Sequence, residues 1–211
     1  MRAFAKAVSV LFHPLLFPLY GSALILAVNP NLYGYFGEKV HFLWLIIVFI
    51  LTCLFPAIWL VMMKRLEMID NLQLDTANER IIPFIATATF YLMATWMFKP
   101  SVTMKVPSNL LIFYMMMGGT VAIFVSFFIN IFSKISLHAV GGGSLIGLGM
   151  LMIRFSTYDL RIVFIALILL AGLIGTARLV LEKHTPLQVF TGYLVGFTGQ
   201  FVAFSIISRF V

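Results

Sequence analysis

The sequence predicts an all-α fold, a polytopic transmembrane helical bundle of six to seven spans. Of the 211 residues, 62% are hydrophobic and only 10% are charged, a composition outside the range of soluble domains. Seven long apolar runs recur along the chain, and about 20 apolar residues are enough to cross a bilayer. The runs are continuous and do not alternate, which excludes a transmembrane barrel. They therefore predict helices, whose backbone groups are paired within each segment.

The predicted spans follow one another with short connections. The N-terminal run resembles a signal peptide, but it has no small-residue cleavage site and is long enough to span, so we interpret it as the first transmembrane helix. Little chain is left over for a soluble domain, so residues 1–211 are expected to form a single integral-membrane domain. The apolar runs cover residues 8–28, 41–63, 81–98, 109–132, 138–153, 160–177 and 187–208.

The formal net charge of +7 comes from basic residues scattered over short loops. Because no run of Lys or Arg occurs, we expect no nucleic-acid partner and favour anionic lipid headgroups. The single cysteine, Cys53, cannot form an intramolecular disulfide, so it does not indicate a compartment. We expect an integral protein of a bacterial inner membrane, and the sequence does not indicate an oligomeric state.

Seven spans place the two chain ends on opposite sides of the membrane. The loops on the side of the N-terminus, termed the N-terminal face, carry eight Lys and Arg residues, against six on the other side. This difference is too small for the positive-inside rule to fix the orientation. The N-terminal face comprises residues 1–7, 64–80, 133–138 and 178–186, and the opposite face comprises 29–40, 99–108, 154–159 and the C-terminus.

Five basic or titratable residues fall at the N-terminal face on three different loops. They are Arg80, Lys134, His138, Arg178 and His184. Ionisable groups at a membrane are energetically expensive, so their presence on one side indicates a functional site. We expect them to converge on a lipid phosphate.

The segment around His184 has the residues needed to bind and attack a phosphate. Thr185-Pro186 is typical of a helix start, which places His184 just before a helix N-terminus, where anions are favoured. Arg178 can donate bidentate hydrogen bonds to phosphate oxygens, and a neutral imidazole can attack phosphorus. Gln188, four residues after His184, is placed to accept a hydrogen bond from the ring.

A second segment, around His138, lies before another apolar run. We expect His138 to act as a general acid on the leaving oxygen. Ser136 is predicted to donate a hydrogen bond to a phosphate oxygen, and Lys134 to add positive charge.

Several other features are interpreted as structural. His13 and His41 are expected to be hydrogen-bonded residues of the membrane interface. A helical spacing of apolar residues in the loop after the second span predicts a short interfacial helix, formed by Leu66, Ile69 and Leu72. Small residues spaced four apart predict close helix packing, at Ala139, Gly143, Gly147, Gly192 and Gly196.

The two histidine segments resemble the motifs of the type 2 phosphatidic acid phosphatase superfamily. Its third motif, Ser-Arg, five residues, His, three residues and Asp, is similar to Ala177-Arg178, His184 and Gln188 in this chain. Its second motif, Pro-Ser-Gly-His, resembles residues 135–138, Ile-Ser-Leu-His. Of its first motif, only Arg80 and a displaced Pro83 are kept, with Gln73 at the position of the lysine. The resemblance covers mainly residues 133–200.

This resemblance implies a membrane phosphatase with a core at about residues 133–208. It implies that His184 is the nucleophile, that His138 is the general acid, and that Arg178 and Arg80 bind the phosphate. The family uses no metal, and we expect no cofactor. In the family, the aspartate at the position of Gln188 orients the nucleophile and carries charge, whereas glutamine can only orient it.

The favoured hypothesis is a membrane phosphatase acting on a phosphomonoester or pyrophosphate of a lipid, with membrane lipids around it. The candidate lipids are phosphatidic acid, phosphatidylglycerol phosphate and a polyprenyl pyrophosphate. A non-catalytic lipid-phosphate-binding relative is the main alternative, because the family's aspartate is replaced. An anion transporter would show inverted repeats, and none is found. A prenyltransferase would bind magnesium, for which Asp70 and Asp75 are the candidate ligands.

Overall fold

A computed structural model describes residues 1–28, 33–70, 74, 77–99 and 107–207 of the chain. The described residues contain helices and no strand, so the predicted all-α fold is confirmed. The α-helices are α1 Arg2–Leu11, α2 Phe17–Ala27, α3 Tyr33–Phe49, α4 Phe55–Arg65, α5 Ala77–Met97, α6 Pro107–Phe132, α7 Leu137–Phe155, α8 Arg161–Val180 and α9 Pro186–Ile207.

Seven segments of the described chain are long and apolar enough to cross a membrane, and they coincide with the seven predicted runs. Many large apolar side chains point outward, as expected for a surface that faces lipid, including Ile162, Leu169, Phe128 and Phe190. Five of the spans are single helices, α5 to α9. The first span combines α1 and α2, and the second combines α3 and α4.

The first span is broken in the middle, which the sequence analysis did not predict. Pro14 lacks a backbone N–H, and the residue before a proline avoids the helical region. His13 accordingly has an extended backbone, with φ −66° and ψ 141°, and a short 3₁₀ turn covers Pro14–Leu16. The chain therefore enters the bundle as two short helices.

The second span contains a wider turn at the same place in the fold. Residues Ile50–Leu54 form a π-helical turn directly before Pro56, where a regular helix would clash with the proline ring. Cys53, in this turn, donates a hydrogen bond from Sγ to the carbonyl oxygen of Leu15, 2.7 Å away. The two irregular turns thus contact each other.

The predicted interfacial helix after the second span is wrong for the residues that the structure describes. Helix α4 ends at Arg65, and residues 66–70 form turns and bends. Glu67 has a positive φ of 56°, which is incompatible with a continuing helix. Ile69 is nonetheless buried, whereas Leu72 lies outside the described residues.

Helices α7 and α9 run parallel and pack most closely of all pairs in the bundle. Glycines permit this approach: a Cβ at Gly196 would overlap the carbonyl oxygen of Val140, and a Cβ at Gly143 would overlap that of Tyr193. The small-residue ridges predicted from the sequence therefore lie at a helix–helix contact. As a consequence, the two helices begin side by side at the N-terminal face.

The N-terminal face holds the starts of α5, α7 and α9 and the end of α8. Arg2 forms an ion pair with Glu182 at 2.7 Å, so the N-terminus lies on the same side as the connection between α8 and α9. Three helix N-termini, each carrying partial positive charge, therefore face one region of the membrane boundary.

Candidate functional site

A cavity of about 790 Å³ opens at the N-terminal face and continues between the helices. All five basic or titratable residues singled out in the sequence line it: Arg80, Lys134, His138, Arg178 and His184. Lys6 and Lys183 also line it, and no carboxylate does among the described residues. Excess positive charge at the mouth, with apolar walls below, favours a ligand that has an anionic head and an apolar body.

The hydrogen bonds of Gln188 fix the tautomer of His184. The backbone N–H of Thr185 donates to Oε1 of Gln188 at 3.3 Å, which identifies that atom as the acceptor. Nδ1 of His184 lies 3.2 Å from the same Oε1, so Nδ1 carries the proton. Nε2 therefore keeps its lone pair, and the predicted orienting contact of Gln188 is present.

The start of α9 forms as its sequence predicts. Pro186 is the first helical residue, and Oγ1 of Thr185 accepts a hydrogen bond from the backbone N–H of Gln188 at 3.4 Å. In return, Oε1 of Gln188 accepts from the backbone N–H of Thr185, and the same atom contacts the ring of His184. The position of the imidazole is thus set by the beginning of the helix.

Burial lowers the pKa of His184 from its ordinary 6.5 to about 4. The charges of Arg178, Lys134 and Arg80 act in the same direction, and the hydrogen bond with Gln188 opposes them. The imidazole is therefore neutral at pH 7. A neutral ring with a free Nε2 is the form that can act as a nucleophile.

Ser9 of α1 lies between Arg178 and His138. Nη1 of Arg178 donates to Oγ of Ser9, and Nε2 of His138 lies 2.9 Å from the Ser9 carbonyl oxygen and 3.2 Å from its Oγ. A carbonyl oxygen only accepts, so Nε2 of His138 carries a proton. Two hydrogen-bond donors thus meet at the oxygens of Ser9.

Arg178 retains further donor capacity beyond this contact. Its Nε is buried and has no hydrogen-bond partner among the described residues. An unpaired buried donor on a cation is costly, and an anion in the cavity would satisfy it. His184 and His138 line the same cavity as Arg178. The three groups therefore belong to a single site.

Arg80 reaches the cavity from the start of α5. Its Nε donates to the carbonyl oxygen of Leu74 at 2.7 Å, and its Nη1 donates to Oδ1 of Asn130 at 3.3 Å. These bonds tie α5 to the end of α6 and hold the guanidinium at the mouth. Gln73, predicted at the lysine position of the first motif, lies outside the described residues.

Ser136 does not take the position predicted for a phosphate ligand. Its side chain is fully buried and is not part of the cavity wall. Oγ of Ser136 accepts a hydrogen bond from the backbone N–H of Ala139 at 3.4 Å and so caps α7. The sequence carries this signal, because a serine directly before an apolar run is typical of an N-cap. Lys134, two residues earlier, does line the cavity.

The two remaining histidines have different environments. His13, expected as an interfacial residue, lines the cavity with its ring 5.9 Å from that of His138, centroid to centroid. Its Nδ1 accepts a hydrogen bond from the backbone N–H of Leu15 at 3.4 Å and caps the 3₁₀ turn. His41 is buried, with its ring 5.2 Å from that of Trp44, and is absent from the cavity wall.

Sequence reasoning missed Ser9 and Asn130. Each is a buried polar residue within an apolar run, a pattern that also fits helix packing. Ser9 precedes His13 by four residues, so the two share a face in a regular helix. The helical spacing of Ser9 and His13 was therefore the sequence signal that could have placed Ser9 in the site.

Comparison with known proteins finds no similar protein. The chain matches no protein-family model, no curated protein and no solved structure.

Proposed function

We propose that the chain is an integral-membrane lipid phosphatase, in a membrane such as the bacterial inner membrane. It hydrolyses a phosphomonoester or pyrophosphate on a lipid, of the phosphatidic acid, phosphatidylglycerol phosphate or polyprenyl pyrophosphate type. One observation carries the proposal: two histidines and three cations from separate loops line the mouth of a cavity that continues into the apolar bundle. This site combines the chemistry of a phosphate with that of a lipid tail.

The first step uses the lone pair of His184. Nε2 attacks phosphorus, the bond from phosphorus to the lipid or pyrophosphate oxygen breaks, and phosphohistidine forms. His138, in the imidazolium form that an anionic phosphate beside it favours, donates the proton of its Nε2 to the leaving oxygen and becomes neutral. Because that proton is bonded to Ser9 in the structure, the leaving oxygen has to replace the oxygens of Ser9 as its acceptor.

The second step releases phosphate. Water attacks the phosphohistidine while His138, now unprotonated at Nε2, accepts its proton. The bond from phosphorus to His184 breaks, and both histidines return to their starting state. Arg178, Arg80 and Lys134 neutralise the phosphoryl oxygens throughout, and no cofactor takes part in either step.

A non-catalytic lipid-phosphate binder is the second candidate. Gln188 favours it, because an amide orients His184 but supplies no negative charge to stabilise the imidazolium that forms on attack. Such a protein would bind the same lipids through the same cations. It would release no phosphate.

Phosphate release from the purified protein tests the proposal. We expect release from at least one of the three lipid types, with an acid-labile phosphoryl group on the protein during turnover. The variant His184→Ala should abolish release, and His138→Ala should lower it by about 10²-fold or more. Binding of those lipids without release by the native protein would favour the non-catalytic candidate.

Helix α8 offers a matched pair of controls for the phosphate contact. Arg178→Gln should weaken substrate binding strongly, because Arg178 faces the cavity. Arg161→Gln, at the other end of the same helix, removes the same charge from an exposed pair with Asp159. Equal losses in the two variants would contradict a site at the N-terminal face.

A further inference from the structure

The walls of the cavity change character with depth. At the N-terminal face they carry the cations and histidines, whereas below Asn130 they are mostly apolar, with Phe84, Ile123, Met115, Leu145 and Leu148 among them. The deep hydroxyl of Ser144 donates to the carbonyl oxygen of Gly196, which satisfies that group within the bundle. An apolar chain therefore matches most of the lower part, although Gln200, whose buried Oε1 has no hydrogen-bond partner among the described residues, also lines it.

The depth of the cavity follows from the helices that line it. On α6 its wall runs from Asn130 to Met115, about 22 Å at a rise of 1.5 Å per residue. On α7 it runs from His138 to Leu148, about 15 Å. Because half of a bilayer's hydrocarbon core is about 15 Å thick, the cavity reaches at least the middle of the membrane.

The volume limits how much lipid can be enclosed. A group of the size of a water molecule occupies roughly 30 Å³. The cavity of about 790 Å³ therefore holds about 26 such groups. One phosphate and a single tail of 16 carbons need roughly 21 at the same density, whereas a glycerol phosphate with two such tails needs roughly 45. Only the first fits inside.

We propose that the substrate is a phosphate ester with one enclosed tail, whose length is measured by the depth of the cavity. This inference rests on the proposed function for the chemistry at the head and narrows its candidate lipids to those with a single tail, but the tail site is defined by its own walls. An extended chain advances about 1.2 Å per bond, so a depth of 15–22 Å matches about 12 to 18 bonds.

Ala122 on α6 and Thr87 on α5 lie part-way down the cavity wall. Both line the cavity, about 12 Å and 10 Å along their helices from Asn130 and Arg80 respectively. A phenylalanine at either position would fill the channel there and leave space for a tail of roughly 9 bonds. The two variants act from different helices, so a folding defect in one does not affect the other.

The test measures both binding and phosphate release with octyl, dodecyl and hexadecyl phosphate, using the full-length protein in detergent. Affinity of the native protein should rise several-fold from octyl to hexadecyl phosphate. Ala122→Phe and Thr87→Phe should remove the gain in affinity beyond about ten carbons. Val125→Phe is the matched control, because Val125 lies on the same helix but is exposed outside the cavity.

A two-tailed comparison completes the test. Palmitoyl lysophosphatidic acid should bind several-fold more tightly than dipalmitoyl phosphatidic acid. Equal affinity for these two lipids, or no dependence on tail length in the native protein, would overturn the single-tail inference.

The two readouts separate this inference from the proposed function. Length-dependent binding without phosphate release would support the tail site and overturn hydrolysis of phosphomonoesters. Release at equal rates from all tail lengths would support the phosphatase and overturn the tail site. The absence of both binding and release would overturn both proposals.

Discussion

At the scale of single residues, the hydrogen bond between His184 and Gln188 determines what the nucleophile can do. Glutamine fixes the tautomer but adds no charge, while burial and three nearby cations keep the ring neutral. The imidazole is therefore ready to attack at neutral pH, but the positive charge it acquires on attack is poorly compensated. We expect a slow enzyme whose rate is sensitive to charge at residue 188.

The pH dependence of phosphate release follows from the pKa of His184, about 4. Above that pH the ring is neutral, so its ionisation should leave kcat/KM unchanged from pH 7 down to about 5. Below pH 4 the ring binds a proton, loses its lone pair, and kcat/KM should fall tenfold per pH unit. A pH profile of release at low substrate concentration measures this. A fall that begins near pH 6.5 would show that His184 is not the nucleophile or is not buried.

The same pKa has a consequence for stability. In the unfolded chain His184 titrates near 6.5 and in the folded protein near 4, so the unfolded state binds more protons between these values. The stability that the neutral ring contributes is complete above pH 6.5 and is lost as the pH falls towards 4. The midpoint of thermal unfolding should decrease across that window, and less so in His184→Ala.

The variant Gln188→Glu tests the charge at this position with little change in shape. A carboxylate beside the ring favours the imidazolium and should raise the pKa of His184 by about 1–3 units. The acidic limb of the pH profile should move up by the same amount, and kcat at neutral pH should increase. Thr157→Glu, which adds the same charge on the opposite face, should change neither. An unchanged limb in Gln188→Glu would mean that residue 188 does not contact the nucleophile during turnover.

At the scale of helices, the contact between α7 and α9 positions the two histidines relative to each other. His138 lies in the first turn of α7, and His184 precedes α9 by two residues. The glycines at this contact let the two backbones approach, and the backbone N–H of Ser136 donates to the carbonyl oxygen of Gln188 at 3.4 Å. A small change in helix separation therefore changes the geometry of the site.

Gly196→Ala tests this coupling. The added methyl group would overlap the carbonyl oxygen of Val140, and since backbone atoms cannot rotate away, the helices have to separate. We expect a loss of about 1–3 kcal/mol in stability, together with reduced phosphate release at unchanged protein concentration. Gly172→Ala is the matched control, because a Cβ there meets no atom within 4 Å. Similar effects of the two substitutions would contradict a role for the α7–α9 contact.

The sequence predicted the helices better than their breaks. The apolar runs identify all seven spans because lipid leaves helices as the only continuous structure. Pro14 and Pro56 lie inside those runs, and prolines are tolerated in membrane helices, so hydropathy alone does not indicate where a helix is interrupted. The predicted interfacial helix after α4 was wrong because apolar residues at helical spacing also occur in a turn that buries one of them, here Ile69.

At the scale of the whole molecule, the cluster at the N-terminal face was predictable, because the order of the spans along the chain assigns each loop to one side of the membrane. His138, Arg178 and His184 line one cavity. The contribution of Ser9 was not predictable, because it depends on how α1 packs against α8 after the break at Pro14. The depth of the cavity was likewise inaccessible, since it depends on which faces of α5, α6 and α7 are turned inward.

The last prediction concerns the sides of the membrane on which consecutive loops lie. Because α7 crosses the membrane once, Ser133, between α6 and α7, and Thr157, between α7 and α8, lie on opposite sides of the membrane. Both residues are exposed, whereas the native Cys53 is buried and should not react with a membrane-impermeant thiol reagent. In sealed vesicles, Ser133→Cys and Thr157→Cys should therefore be labelled from opposite sides, with the native protein unlabelled. Labelling of Ser133→Cys should also occur from the side to which phosphate is released, because Lys134 next to it lines the mouth of the cavity. Labelling of both variants from one side would remove α7 as a span and separate His138 from the face on which this site depends.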